Sequence, residues 1–382
     1  MERKIRMGMV GGGRGAFIGA VHRMAAQLDG AIELVCGALS SDPERARASA
    51  RDWFLAEDRC YVSFGEMFER ERARQDGMDF VAVVTPNHLH FPVSSSALQA
   101  GFHVVCDKPM THTVEEAERL VELVEETGLL FGLTYNYSGY PLVKEARARV
   151  RAGELGAIRK VVAEYPQGWL AGALEDSGQK QADWRTDPAR AGAAGAMGDI
   201  GTHAAHLAEY VTGLDIEQVC ADLTTFVPGR RLDDDGNVLL RFAGGARGVL
   251  YASQVSIDDE NALALRVYGE RGGLEWRQEE PNTLLLKWPD RPRQILRTAS
   301  HALGEEAARS SRLPAGHPEG FVEAFANLYR SFALAVDARL RGAEPPPGAD
   351  DVPTVRDGLR GMRFVDAVVR SSRSESKWTP VE

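Results

Sequence analysis

The stretch Met9–Arg23, MVGGGRGAFIGAVHR, places a run of glycines between a short apolar segment and a segment with helical periodicity. Such a loop is typical of domains that bind a dinucleotide, because glycines let the backbone approach the pyrophosphate at a helix N-terminus. The usual spacing is Gly-x-Gly-x-x-Gly, but Ala16 follows Gly11, Gly13 and two spacers. Either this is a nucleotide loop with an insertion, in which Gly19 replaces the third glycine, or it is a tight turn without a ligand.

The bulk composition is that of a large globular protein with two or three domains. The chain has 382 residues, of which 44% are hydrophobic and 26% charged, and its net charge is −10. This charge argues against nucleic acid or an anionic membrane as a partner, and no apolar run is long enough to span a bilayer. No secretory signal or CxxC pair is present, so we expect a cytoplasmic protein without a metal site and with four free thiols, Cys36, Cys60, Cys106 and Cys220.

The order of the predicted elements indicates two different sheets. Up to about Tyr137, short apolar runs alternate with helical segments, which predicts a parallel sheet covered on both faces. Beyond it, longer strand-like runs follow one another, which predicts a mainly antiparallel sheet. We therefore predict an α/β fold with a Rossmann NAD(P)-binding domain at 1–137. An α+β domain at 138–382, with a large open sheet, would bind substrate and form the oligomer; it includes a Pro-rich linker at 342–353 and a final helix at 354–372.

The end of the second predicted strand bears on the choice between NAD and NADP. An NAD enzyme often has Asp or Glu there for the ribose hydroxyls, but this chain has Ser40, with Arg45 five residues further on. A small polar residue near an arginine can accept the 2′-phosphate of NADP. Arg45 could also be an ordinary solvated helix residue. The sequence thus predicts NAD or NADP as cofactor, with a slight preference for NADP.

Three further segments carry residues suited to chemistry. VVTPNHLH and VVCDKPM end two strands of the predicted parallel sheet, where such sheets bind ligands, and the second contains Lys108. GAMGDIGTHAAHLAEYVTG places Asp199, His203 and His206 on one face of a predicted helix. Histidine is suited to proton transfer near neutral pH, and a nearby carboxylate can orient it. Lys108 could instead be an ordinary surface lysine, Asp199 an N-capping residue and His203 a core histidine. A zinc site is not supported, because there is no HExxH motif and no cysteine partner.

In this order, the glycine loop, TPNHLH, DKP and DIGTH resemble the Gfo/Idh/MocA family of sugar and polyol oxidoreductases over essentially the whole chain. Segments such as NYSGYP and EYPQGWL resemble an uncharacterised bacterial subgroup with the GAFIGAVHR loop. The resemblance implies an NAD(P)-dependent dehydrogenase that acts on a secondary alcohol of a sugar, inositol or related cyclic polyol. It also implies a homodimer or homotetramer. Two alternatives stay open: redox-assisted cleavage of a glycoside, and a nucleotide-binding sensor without turnover.

The resemblance also implies roles for individual residues. The family's Glu-Lys-Pro motif reads Asp107-Lys108-Pro109 here, and its Asp-x-x-x-His pair reads Asp199 and His203. His203 would take the hydroxyl proton, Lys108 would stabilise the alkoxide and Asp199 would hold His203. The implied cofactor contacts are Gly11, Gly13, Phe17, Ile18, Ser40, Arg45, Thr85, Pro86, Asn87, His90, Asp107, Lys108 and Asn136. The implied substrate contacts are Lys108, Asp199, His203 and His206, with Tyr165, Gln167, Trp169, Trp184 and Arg185, for which buried aromatic packing is an equal alternative.

Overall fold

A computed structural model describes all 382 residues, Met1–Glu382. The chain forms two units, each assembled from two pieces. The first unit consists of Met1–Asn136 and Val322–Leu359, and the second of Tyr137–Phe321 and Arg360–Glu382. No helix has both the length and the apolar character needed to cross a membrane.

The first unit is built on a five-stranded parallel sheet with the strand order β2-β1-β3-β4-β5. Its strands are β1 (Ile5–Gly11), β2 (Ile32–Ala38), β3 (Phe80–Val84), β4 (His103–Cys106) and β5 (Phe131–Leu133). The helices between them are α1 (Phe17–Leu28), α2 (Pro43–Asp52), α3 (Phe64–Arg72), α4 (His90–Gln99) and α5 (Val114–Thr127). All residues of β3 and β4 are buried, which explains why these strands read as continuous apolar runs. The predicted parallel sheet of a Rossmann domain is confirmed.

The second unit holds a nine-stranded sheet with the order β13-β12-β11-β10-β6-β9-β8-β7-β14, in which only β6 and β9 pair in parallel. Its strands are β6 (Ile158–Pro166), β7 (Ile216–Thr224), β8 (Asp235–Phe242), β9 (Arg247–Ser253), β10 (Ala264–Gly269), β11 (Gly273–Arg277), β12 (Thr283–Lys287), β13 (Gln294–Arg297) and β14 (Trp378–Pro380). Along β8, buried and more exposed side chains alternate, as expected for a sheet covered on one face. The predicted, mainly antiparallel sheet is confirmed.

The remaining helices belong mostly to this part of the chain. They are α6 (Pro141–Arg151), α7 (Lys180–Arg185), α8 (Pro188–Ala191), α9 (Thr202–Thr212), α10 (Glu305–Arg309), α11 (Phe321–Arg341) and α12 (Val355–Arg373). Helix α12 contributes its first five residues to the first unit and the rest to the second.

The units differ from the predicted division at 137 and 138 because α11 and the Pro-rich segment return to the first unit. Tyr329 of α11 is hydrogen bonded to His22 of α1, and the ring of Phe332 lies 5.3 Å from that of Phe80 in β3. An amphipathic helix has a detectable apolar face, but its period does not show which sheet that face covers.

Acidification is expected to destabilise the protein through His103, a buried histidine at the start of β4. The Leu130 N–H donates to His103 Nδ1 at 3.0 Å, which requires an unprotonated nitrogen. Burial, followed by Arg339, lowers the pKa of His103 from 6.5 to about 4, against the opposing effect of Asp79. Between pH 6.5 and pH 4, His103 is therefore protonated in the unfolded chain but mostly neutral in the folded chain. The free energy of unfolding should fall by about 3 kcal/mol between pH 6.5 and pH 4.

Urea unfolding of the wild type and of His103→Gln, at pH 7 and pH 5, checks this expectation. Titration of other groups lowers the stability of both proteins equally, so the additional loss in the wild type isolates His103. Equal losses in the two proteins would show that His103 is not the source of the acid sensitivity.

Candidate functional site

The glycine loop of the first unit leaves β1 with a backbone that favours glycine. Gly11 and Gly12 have φ values of 82° and 72°. A Cβ on Gly11 would lie 2.6 Å from Val84 O, and one on Gly13 would lie 2.6 Å from Leu39 O. The Gly13 N–H also donates to Leu39 O. Gly13 therefore lets the loop approach the end of β2 closely, but its N–H is already used within the protein. The loop thus passes tightly over the carboxyl ends of β3 and β2.

The insertion in the loop moves the third packing glycine to Gly19. A Cβ there would lie 2.2 Å from Gly12 O, so α1 packs directly on the loop. Helix–strand packing of this kind is the task of the third glycine in dinucleotide loops. Ala16 precedes α1 without a capping side chain, and the first turn has no acidic residue, so its N–H groups suit an anion. At this helix start Phe17 is exposed and Ile18 is half-buried.

Two buried polar atoms beyond the ends of β3 and β5 have no hydrogen-bond partner in the protein. They are Thr85 Oγ1 and Asn136 Nδ2. A buried polar atom without a partner is costly, so such atoms indicate a polar ligand. Between them in sequence, Pro86 is half-buried and Asn87 is buried. Together with the glycine loop, these atoms fit a bound dinucleotide.

His90 has a different environment from the one implied by the family resemblance. Its Nδ1 lies 2.6 Å from Pro109 O and its Nε2 lies 2.8 Å from Thr85 O. The ring is buried, and burial lowers the pKa of His90. Because both ring nitrogens face protein carbonyls, we interpret His90 as a brace between the loops that follow β3 and β4, rather than as a ribose contact.

The Asp107-Lys108-Pro109 segment follows β4. Asp107 Oδ1 accepts hydrogen bonds from Lys108 N at 3.0 Å and from Thr134 Oγ1 at 2.7 Å. Desolvation opposes ionisation of this carboxyl, but His22, Lys108 and Thr134 outweigh it and hold the pKa of Asp107 below its ordinary value. The ionised carboxylate fixes the backbone at Lys108.

Ser40 and Arg45 lie beyond the end of β2 and in the first turn of α2. Ser40 Oγ accepts from Asp42 N at 3.1 Å, and Asp42 Oδ1 accepts from Arg45 N at 2.7 Å, which caps α2. The Arg45 side chain is exposed. This arrangement leaves the choice between NAD and NADP open.

In the second unit, Asp199 and His203 lie on turns of different type. Met197–Gly201 forms a π-helical turn, and the α-helix begins at Thr202. The regular spacing predicted for one continuous α-helix is therefore wrong at Asp199. The buried Asp233 carboxylate holds the start of this turn by accepting hydrogen bonds from two backbone N–H groups, of Gly195 and Met197. Turns of this kind are frequent at functional sites.

The carboxylate of Asp199 is held by two side chains of the same unit. Its Oδ2 accepts from Arg185 Nε at 3.1 Å and from Gln254 Nε2 at 2.9 Å. Arg185 also stacks on the ring of Trp184 at 4.3 Å. Arg185, predicted as a substrate contact, thus has Asp199 as a direct partner.

Buried tyrosines surround His203, which is 6% exposed. The ring of Tyr137 meets it edge-on at 4.8 Å, and that of Tyr165 lies at 6.3 Å. The two hydroxyls are hydrogen bonded to each other, and Asn261 bonds both of them. Burial raises the pKa of both tyrosines, so their hydroxyls stay protonated.

This hydrogen-bonded network extends to two further predicted substrate contacts. Gln167 Nε2 donates to Asn261 Oδ1 at 2.6 Å, and Trp169 Nε1 donates to Gln167 Oε1 at 3.1 Å. His206, on the next turn of α9, stacks on Tyr210 at 5.8 Å. The structure brings Tyr165, Gln167 and Trp169 into one row of polar groups.

Three residues of this arrangement, Tyr137, Gln254 and Asn261, are absent from the sequence prediction. Tyr137 stands in NYSGYP, a segment that carried the subgroup resemblance and could have indicated it. Gln254 and Asn261 follow β9 in segments without a motif. All four cysteines are free, and no group of three or more His, Cys, Asp or Glu side chains is placed to hold a metal ion.

Comparison with known proteins gives matches over both units. A model described as "Oxidoreductase family, NAD-binding Rossmann fold" matches residues 5–135, and the GFO/IDH/MocA C-terminal domain matches 143–275. The uncharacterised oxidoreductase YfiI of Bacillus subtilis is 33% identical, over 99% of this chain and 97% of its own. Levoglucosan dehydrogenase of Pseudarthrobacter phenanthrenivorans is 26% identical, over 99% of this chain and 98% of its own.

An inositol dehydrogenase homologue from Azotobacter vinelandii has a similar structure. Its complex with NAD⁺ is 38% identical with a TM-score of 0.94, and the match covers 99% of this chain and 97% of that one. Its complex with NADH and myo-inositol is 37% identical with a TM-score of 0.91, over 99% and 98%. These matches confirm the family resemblance identified from the sequence motifs.

Proposed function

Because the chain belongs to the Gfo/Idh/MocA family of NAD-binding oxidoreductases, we propose that it is a dehydrogenase acting on a secondary alcohol of a cyclic polyol, with inositols as the first candidates. The observation that carries this proposal is the Asp199 carboxylate, held by Arg185 and Gln254, four residues before the buried His203. The inositol dehydrogenase homologue supports the substrate class, since it was solved with myo-inositol.

The first unit would hold the dinucleotide through the glycine loop, the first turn of α1, Thr85 and Asn136. When bound, the nicotinamide supplies the hydride chemistry. The loop and the helix start would bind the pyrophosphate through backbone N–H groups. Thr85 Oγ1 and Asn136 Nδ2 would gain the partners that the protein does not give them.

The chain's own residues would move the proton and stabilise charge. His203 accepts the proton of the reacting hydroxyl, and the Lys108 ammonium stabilises the developing alkoxide. Asp199 orients His203 and can accept a hydrogen bond from a neighbouring hydroxyl. Tyr165, Gln167 and Trp169 belong to one hydrogen-bonded row of polar groups, and a polar surface of this kind suits a ring with several hydroxyl groups.

Fluorescence titration with NADH and NADPH, followed by an assay with inositols, pyranoses and amino sugars, tests the proposed function. We expect micromolar binding of one or both nucleotides and net reduction of NAD(P)⁺ by a cyclic polyol. Release of a sugar without net NAD(P)H would favour glycoside cleavage instead. Binding without turnover of any of these compounds would favour a nucleotide sensor.

The same titration tests the slight preference for NADP that the sequence predicts. If the Arg45 guanidinium pairs with the 2′-phosphate, Arg45→Ala should weaken NADPH binding about tenfold and leave NADH binding unchanged. Arg47→Ala is the matched control, because it removes another exposed arginine of α2. Equal effects of the two variants on NADPH binding would show that Arg45 does not bind the 2′-phosphate specifically.

A further inference from the structure

A buried row of polar groups in the first unit leads from α11 to the Lys108 segment. Tyr329 Oη lies 2.7 Å from His22 Nδ1, and His22 Nε2 lies 3.8 Å from Asp107 Oδ1. His22 is fully buried, and Tyr329 is 1% exposed. The proposed function uses neither of these two side chains.

Packing alone does not account for polar residues at these positions. The ring of His22 packs on Phe325 at 5.0 Å, and that of Tyr329 packs on Phe80 at 6.3 Å. Apolar side chains of similar size would fill the same space without the cost of burying polar atoms. Hydrogen-bonded polar groups in a low-dielectric interior make the surrounding structure more rigid.

The group within reach of His22 is the Asp107 carboxylate. Its Oδ1 accepts hydrogen bonds from the Lys108 N–H and the Thr134 hydroxyl. The same oxygen is the acidic atom that faces His22 Nε2, at 3.8 Å, which is beyond hydrogen-bond distance. The neighbouring His22 also contributes to holding the pKa of the Asp107 carboxyl low. A displacement of the carboxylate would therefore displace the residue that carries the lysine.

Helix α1 connects this row to the glycine loop. Gly19 packs against Gly12, and His22 stands three residues later on the same helix. One rigid element therefore supports both the proposed pyrophosphate loop and the segment that ends in Lys108.

We propose that His22, backed by Tyr329, is a positioning residue that holds Asp107 and, through it, Lys108 in place for the reaction. This inference rests on the proposed function, in which Lys108 stabilises the alkoxide. A misplacement of about 1 Å remote from the reacting atoms can cost about 100-fold in rate. His22 acts only through its neighbours, so its loss should be smaller than the loss of Lys108 itself.

Steady-state kinetics of Tyr329→Phe and His22→Asn provide the test. We expect kcat to fall about tenfold in both variants, while KM for the polyol and the dissociation constant for NADH change little. Tyr61→Phe is the matched control: it removes a buried hydroxyl of the same unit, which donates to Glu71 Oε1 at 2.8 Å. Kinetics indistinguishable from those of Tyr61→Phe would overturn the inference.

A double-mutant cycle with Asp107→Asn separates positioning from general damage. If His22 acts through Asp107, His22→Asn should have almost no further effect on kcat in the Asp107→Asn background. Additive losses would show that His22 acts by another route and would overturn the inference.

The same double-mutant cycle can be measured by urea unfolding. This measurement tests the contact between His22 and Asp107 even if the protein shows no activity. A wild type that oxidises no polyol would overturn the proposed function, and with it the role of Lys108. Non-additive changes in the unfolding equilibrium constant would still support the link between His22 and Asp107, whereas additive changes would overturn it.

Discussion

The variant His203→Ala is expected to lose about 100-fold to 10,000-fold in kcat, the usual contribution of a general base. His203 is buried and is enclosed by the rings of Tyr137 and Tyr165, whose hydroxyls burial keeps protonated. Neither phenol can therefore take over as the base near neutral pH. The residues proposed to hold the dinucleotide belong to the first unit, so the dissociation constant for NADH should stay that of the wild type.

Two measurements make this result decisive. NADH titration of His203→Ala shows whether the variant still binds the cofactor. Normal binding excludes loss of the cofactor as the cause of the lost turnover. His103→Gln serves as the control, because it also replaces a buried histidine. His103 begins β4, whereas Lys108 follows the other end of that strand, so this variant should keep its turnover. Near wild-type turnover of His203→Ala with normal NADH binding would refute the role given to His203.

The fold could be predicted from the sequence because the pattern of apolar residues in each strand reflects how many of its faces are buried. β3 and β4 are buried on both faces and read as unbroken apolar runs, whereas β8 alternates and is covered on one face. The change from one pattern to the other near Tyr137 marks where the parallel sheet ends. The sequence predicts the helix α11 but not its place in the first unit, because the contact of Tyr329 with His22 spans 307 residues of sequence.

The candidate site could be predicted only where a motif carries it. Lys108, Asp199 and His203 stand in short segments with recognisable spacing, but Gln254 and Asn261 meet their partners only through the folding of the sheet. The environment of His90 also depends on a tertiary contact, since the Pro109 carbonyl that faces its Nδ1 belongs to the loop after β4. The π-helical turn at Asp199 depends on the distant Asp233 carboxylate, which no local propensity reveals.

The glycine loop between β1 and α1 depends on the close packing of Gly19 on Gly12. Gly19→Ala is expected to weaken NADH binding about 10-fold to 100-fold. The added Cβ would lie 2.2 Å from Gly12 O and 2.4 Å from Gly12 Cα. The loop or α1 would have to shift by about 1 Å to restore ordinary contact, and overpacking of this kind costs about 1–3 kcal/mol. A loop displaced by that amount would no longer present its backbone to the pyrophosphate.

The matched control is Gly65→Ala, also a helical glycine of the first unit. A Cβ at Gly65 would have no atom within 4 Å, and alanine is the better helix former by about 0.5–1 kcal/mol, so this variant should bind NADH normally and unfold no more easily. The intrinsic helix preference is the same at Gly19, so any loss there measures the clash with Gly12 alone. Tryptophan fluorescence titrations of both variants, with urea unfolding beside them, separate lost binding from lost stability. Wild-type NADH affinity in a folded Gly19→Ala variant would mean that the contact between Gly12 and Gly19 serves packing only, and that the pyrophosphate is held elsewhere.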